Sequence, residues 1–150
     1  MSIETYPDLQ FLTNCDALAA SLGEVTLLDL RPSDDYALGH IPGAKHLDIY
    51  GVSLNDSAAE PLQAFLSIFH GLFGARGVSL ERPVVIYDHE SGERASRAVW
   101  LLAVLDHRDV RLLDGGANAW AASGRELVRV GEAAAPVAPE YAPPTPPPFQ

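Results

Sequence analysis

Two hydrophobic rhythms alternate along the chain. Val25 to Leu30, Val84 to Tyr87 and Val110 to Leu113 are short, almost wholly apolar runs of the length of strands covered on both faces. Ala44 to Leu47 reads as a fourth, very short strand, and Pro83 announces the run at Val84. Between these runs the apolar positions recur at three- and four-residue steps, the spacing of one helical face. Leu18, Ala19 and Leu22 form the first such set, with Thr13-Asn14-Cys15-Asp16 as a capping-box pattern, Thr13 as N-cap and Gly23 as terminator. Leu62, Phe65, Leu66, Phe69, Leu72 and Phe73 form a second, starting near Ala58. Ala95, Ala98, Val99, Leu102 and Leu105 form a third, and Ala117 to Ser123 a last short helix closed by Gly124.

Strands separated by helices require crossover connections. The pattern therefore predicts an α/β domain with a mostly parallel central sheet of about five strands, flanked by helices on both faces. Sites in such sheets form beyond the carboxyl ends of the strands. The loops after Leu30, Tyr87 and Leu113 are the candidates. After Val130 the composition changes: seven of the twelve prolines fall between Pro136 and Pro148. The expected organisation is a domain over residues 1–130 and a Pro-rich linker or extended arm over residues 131–150, with Val137, Tyr141 and Phe149 lacking any period.

Bulk properties narrow the function. A chain of 150 residues fits one domain and buries on the order of 70% of its unfolded surface. The formal net charge of -10 repels nucleic acid and anionic membranes, so neither is expected as a partner. No apolar run approaches the roughly 20 residues of a membrane span, and the N-terminus lacks the pattern of a secretory signal. Cys15 is the only cysteine, and no Cys/His spacing reads as a zinc site. A cytoplasmic protein with no metal and no cofactor is the expectation.

Local chemistry sharpens the reading at several positions. Gly39 suits the left-handed end of a one-turn helix, and Pro42-Gly43 suits a type II turn with the glycine at the positive-φ corner. His40 between them reads as a structural histidine bonded to local backbone. Asp29 and Arg31, where a strand becomes a loop, read as a partly buried pair or loop clamp. Gly115-Gly116 suits a tight strand-to-helix turn, and its place at a strand's carboxyl end keeps a site role open. Trp100 and Trp120 read as core or interface anchors, His46 and His70 as surface or packing residues, and Cys15 as an inert or partly buried thiol remote in sequence from the strand-end loops.

Tyr36-Ala37-Leu38-Gly39-His40-Ile41-Pro42-Gly43-Ala44, with Asp29-Leu30-Arg31 upstream and Leu113-Asp114-Gly115-Gly116-Ala117-Asn118-Ala119-Trp120 downstream, resembles the signatures of the rhodanese family in their correct order. The resemblance covers about Leu9 to Leu127. It implies a cysteine right after the strand Val84–Tyr87, in a loop whose backbone N–H groups and following helix N-terminus favour a thiolate that carries sulfur as a persulfide. Here the loop reads Asp88-His89-Glu90-Ser91-Gly92-Glu93-Arg94. If Asp88 stands in the cysteine's place, the spacing to Arg94 resembles the loop of the cell-cycle dual-specificity phosphatases that share the fold. If His89 does, the shorter sulfurtransferase spacing is recovered. Neither side chain forms a persulfide. Asp88, Glu90 and Glu93 offset Arg94 and the helix dipole, so weak thiosulfate or phosphate binding is expected.

Tyr87-Asp88, Ser91-Gly92, Ala95, Arg97 and Trp100, continued by Leu101-Leu102 and Asp106-His107-Arg108-Asp109-Val110, are similar to the first repeat of two-domain thiosulfate and mercaptopyruvate sulfurtransferases. That repeat is non-catalytic and packs on a catalytic second one. In this register His107 is expected at a helix C-terminus, interacting with the dipole. Three functions compete. The first is a non-catalytic, cleft-completing half of such an enzyme, whose partner is a catalytic rhodanese domain or a second copy of this chain. The second is a free-standing binding or regulatory module, and the third is an enzyme using Asp88 or His89 in hydrolysis or phosphoryl transfer.

Overall fold

Val84–Tyr87 lies at the middle of the sheet because four consecutive apolar residues have to be covered on both faces. In a computed structural model, which describes residues 9–131, this run is strand β4 of a five-stranded, all-parallel sheet. The elements in chain order are a 3-10 turn (Leu9–Phe11), β1 (Leu12–Thr13), α1 (Cys15–Ser21), β2 (Thr26–Asp29), α2 (Ser33–Leu38), β3 (Lys45–His46), α3 (Ala59–Gly74), β4 (Val84–Tyr87), α4 (Glu93–Val104), β5 (Val110–Leu113) and α5 (Gly116–Ala122). The strand order is β1-β5-β4-β2-β3. Thr26 to Asp29 pair with Val84 to Tyr87, and Val84 to Ile86 pair with Val110 to Leu112.

The period of two in the central strands divides the core into two layers. Val84 and Ile86 of β4, with Leu28 of β2 and Val110 of β5, face α3 and α4 through Phe65, Phe69, Phe73, Ala98, Leu101 and Leu102. Val85 and Tyr87, with Leu27 and Leu113, face α1 and α5 through Leu18, Ala117 and Trp120. Apart from Leu101, the helical residues of the α3 and α4 layer are apolar positions that the helical spacing marks, so burial rather than propensity fixes which face of each helix turns inward.

Two local features, at Asn14 and Gly39, differ from the sequence expectation, and two more, at Trp100 and His107, narrow it. The N-cap of α1 is Asn14, whose side chain accepts from the Ala17 N–H at 2.8 Å, because Thr13 is taken up by β1 pairing with Leu113. Gly39 is extended, at φ 171° and ψ 120°, not left-handed. It sits where a Cβ would lie 3.3 Å from the Leu127 Cβ. Trp100 is 61% exposed, whereas Trp120 is buried, so only the second anchors the core. His107 lies beyond α4 in a Schellman closure: its N–H reaches the Leu102 carbonyl and the Asp106 N–H the Ala103 carbonyl, with Asp106 left-handed at φ 66°. The Pro-rich segment expected over residues 131–150 lies, after Gly131, outside the described residues. No helix among the described residues is long and apolar enough to cross a membrane.

Candidate functional site

The carboxyl ends of β2, β3, β4 and β5 converge on one edge, and the loop after β4 occupies its centre. Asp88 follows Tyr87 and turns its side chain inward, only 4% exposed. One carboxylate oxygen accepts the Gly92 N–H at 3.0 Å, and the other accepts those of Arg94 at 3.0 Å and Ala95 at 3.1 Å. Gly92, left-handed at φ 77°, makes the curl that brings these donors round. The first turn of α4 is thereby satisfied by a buried anion from its own chain. His89 points the other way, exposed, with Nε2 3.0 Å from an Asp35 carboxylate oxygen.

α5 closes the loop from the side. The N–H groups of Ala117 and Asn118 donate to the carbonyls of Asp88 and His89, both at 2.9 Å. Asn118 also donates its side-chain amide to Glu90 at 3.3 Å. Gly115 and Gly116, at φ 74° and 58°, form the turn that permits this approach. The Gly115-Gly116 pair is thus a backbone contact to the Asp88 loop as well as a strand-to-helix turn.

A buried polar cluster holds the neighbouring loop in place. Arg31 binds Asp29 through two nitrogens, at 2.7 Å for the shortest contact, and donates to the Gly39 carbonyl at 2.6 Å. His40 Nδ1 lies 2.8 Å from the Tyr36 carbonyl, with its ring stacked on the Tyr36 ring at 4.0 Å. Ala44 N–H closes on the Ile41 carbonyl at 3.0 Å across Pro42-Gly43, with Gly43 at φ 83°. The Tyr87 hydroxyl accepts the Ile41 N–H at 3.1 Å, tying this turn to the centre of the sheet. Burial and then the Asp29 charge push the Tyr87 pKa far above the tyrosine range. His46 Nε2 lies 2.8 Å from the Arg31 carbonyl, so it belongs to the same cluster.

Arg94 divides its functions. Its backbone N–H serves Asp88, while its guanidinium turns away to lie 4.9 Å from the Tyr50 ring centre and 3.6 Å from an Asp48 carboxylate oxygen. These residues, with Leu30, Glu93 and Arg97, line a cleft of 270 Å³ beside the loop. Tyr50, 77% exposed, carries no sequence signal of this role: the Tyr50–Arg94 contact joins residues far apart in the chain. Arg97 is committed to the Ile49 and Val52 carbonyls.

The chain's thiol lies nearer this edge than its place in the sequence suggests. Asp114 N–H donates to the Thr13 carbonyl at 2.9 Å, which sets the start of α1 beside the end of β5. Burial raises the Cys15 pKa, against the opposing pull of Arg125. A protonated thiol is a poor nucleophile. Among the described residues there is no group of three or more His, Cys, Asp or Glu side chains arranged to hold a metal ion.

Fold and motifs have a counterpart among known proteins. The profile of the rhodanese-like domain matches residues 14–123, and the chain belongs to that family. It is similar to a thiosulfate sulfurtransferase of Pseudomonas aeruginosa, 36% identical over 137 residues that make up 90% of this chain and 50% of that protein. A thiosulfate sulfurtransferase of Azotobacter vinelandii is 39% identical over 109 residues, 73% of this chain and 40% of that protein. Among solved structures, the 3-mercaptopyruvate sulfotransferase SseA of Escherichia coli superposes with a TM-score of 0.63 at 26% identity, over 79% of this chain and 50% of that one. The chain thus spans about half the length, or less, of the curated relatives it matches.

Proposed function

We propose that this chain is the non-catalytic, cleft-completing half of a sulfurtransferase of the thiosulfate or 3-mercaptopyruvate type, working in the cytoplasm against a catalytic rhodanese domain. The observation that carries the reading is the Asp88 carboxylate, which fills the N–H-lined loop after β4. In the family that loop is expected to hold a cysteine sulfur. A carboxylate accepts no sulfane sulfur, and three backbone N–H groups already engage both oxygens of this one.

The half-length match to the relatives supports a second repeat as partner. Two exposed apolar side chains stand near the loop, Tyr50 on one side and, on the other, Leu38, 66% exposed and three residues beyond the Asp35 that bonds His89. The Val130 N–H bonds the Ala37 carbonyl beside α2, so the segment leading to the Pro-rich arm also borders this edge. Such a domain shapes and dries a cleft whose reacting sulfur comes from the partner.

The test combines activity with association. The chain alone should show no thiosulfate-to-cyanide or mercaptopyruvate sulfur transfer above solvent background. Mixed or co-expressed with a catalytic rhodanese repeat of one of the relatives above, it should co-elute and raise that repeat's kcat/KM. Turnover by the chain alone that disappears in Cys15→Ser would move the active site to α1. Neither turnover nor association would favour the free-standing module.

A further inference from the structure

The two edges of the sheet are finished differently. At the β3 edge the Arg76 side chain covers the strand, its Nε donating to the His46 carbonyl at 2.6 Å. A charged group over an edge blocks further strand pairing. At the β1 edge the Thr13 carbonyl accepts the Asp114 N–H, so Thr13 faces β5 and the backbone groups of Leu12, one residue earlier, turn away from β5. The side chains at this edge are apolar and open: Phe11 is 46% exposed and Leu12 37%.

The apolar surface continues from this edge onto α4. Phe11 and Ala103 line one open depression. Ala103 and Val104 follow Trp100 by three and four residues on the exposed side of the helix, whereas Ala98, Leu101 and Leu102 face the core. Trp100 belongs to neither core layer. Single exposed apolar side chains are ordinary, but a set joined across a strand edge and a helix face marks a contact surface. Asp106, Arg108, Asp109 and Arg111 border the same depression, two charges of each sign. They pair as Asp106–Arg108 at 4.0 Å and Asp109–Arg111 at 3.1 Å, with all four side chains open to solvent.

We propose that this face is an interface between two copies of the chain, related by a two-fold axis, with Trp100 and Phe11 as its anchors. The chain carries a formal net charge of -10, so two copies repel over most of their surface. A border of zero net charge is where they approach at least cost. A two-fold axis sets the acids of one border against the bases of the other, so a border with equal numbers of both signs complements itself. Trp is among the side chains that most often carry the binding energy of such contacts. In this arrangement each open β1 edge is covered by the other copy. The face lies along the outside of α4 and β1 rather than over the Asp88 loop, so the proposal does not rest on the sulfurtransferase reading.

Analytical ultracentrifugation of the whole chain over a dilution series, with tryptophan emission read on the same samples, tests this. The chain should sediment as a dimer when concentrated and dissociate on dilution. Trp120 is already buried, so a blue shift of the emission on concentrating reports the covering of Trp100. Trp100→Lys should weaken the dimer by about thirtyfold, the loss of one hot spot, with unchanged far-UV circular dichroism. Arg108→Asp with Arg111→Asp makes the border wholly acidic, and Asp106→Gly with Asp109→Lys makes it wholly basic. Each of these double variants should be monomeric alone, and the two should form a heterodimer when mixed. A chain that stays monomeric up to about 1 mM, a dimer indifferent to Trp100→Lys, or border variants that self-associate as well as the unaltered chain would overturn the proposal.

Discussion

Gly116 and Asp88 approach so closely that a Cβ on the glycine would lie 2.4 Å from the Asp88 carbonyl oxygen. The two loops at the centre of the carboxyl edge are thus packed backbone on backbone, with α5 donating into the Asp88 loop. Gly116→Ala combines a left-handed φ with a clash that no side-chain rotation relieves. It should lower the unfolding free energy by about 2–4 kcal/mol. Gly43→Ala, also at positive φ but with nothing within 4 Å, should cost only about 1–2 kcal/mol. Urea unfolding of both at unchanged m-value measures the difference. Equal costs would mean that the close approach adds nothing.

Asp88 offers two oxygens to three N–H groups. Asp88→Asn replaces one of those oxygens with a donor and should destabilise by about 1–3 kcal/mol. Asp88→Cys places a thiol where the carboxylate was, at a position 4% exposed, and iodoacetamide should modify it only slowly. Sulfur transfer from thiosulfate should likewise stay feeble, because Glu90 and Glu93 oppose its ionisation and repel the anionic donor. Family-like turnover in this variant would show that the acidic rim is immaterial.

Tyr87 sets an alkaline limit to stability. Its pKa is raised in the folded chain by burial and by Asp29, and that of Tyr36 is raised in the same direction by the same two causes. In the unfolded chain a tyrosine ionises near pH 10. The folded state then holds the proton that the unfolded state releases, so this stabilisation is complete below about pH 10 and is lost as pH rises toward the folded values. The slope is up to about 1.4 kcal/mol per pH unit for each group. Tyr87→Phe should cost about 1 kcal/mol at neutral pH through the lost Ile41 bond and should flatten part of the decline between about pH 10 and pH 12. An unchanged decline in the variant would assign it to other groups.

Asp106 is the one non-glycine residue at positive φ among the described residues. It occupies the closing position of α4, where glycine carries no Cβ penalty, and its contact with Arg108 is a 4.0 Å pair between two exposed side chains. Asp106→Gly should raise stability by about 1 kcal/mol. A thermal midpoint that falls instead would show that the Arg108 contact or the unfolded chain dominates.

Long apolar periods were readable from the sequence, and isolated pairings were not. The two strands Val84–Tyr87 and Val110–Leu113 and the helix from Ala59 lie where the apolar pattern put them, because burial on a given face leaves a period in the sequence. β1 is two residues long, with Thr13 facing partial solvent, and leaves no period. Its pairing with β5 is what moved the helix cap from Thr13 to Asn14. At the site, the sequence left Asp88 or His89 open for the cysteine's position. The choice is made by three backbone donors that only the curl at Gly92 assembles. The turn of the Arg94 guanidinium toward Tyr50 and Asp48 likewise depends on which loops the sheet order makes neighbours.

Asp88 is held by main-chain groups alone, so the fold of its loop is insulated from the outward-facing residues around it. His89, Glu90 and Ser91 can be exchanged without touching the three N–H bonds to Asp88, losing only the exposed His89–Asp35, Asn118–Glu90 and Glu93–Ser91 contacts, and Glu93 and Arg94 contribute to the curl only through the backbone. A rim of this kind is free to drift. Natural variation there would follow whatever surface the domain meets rather than the demands of its own folding, and a library confined to positions 89, 90, 91 and 93 could retarget the edge while the scaffold beneath it stays as it is.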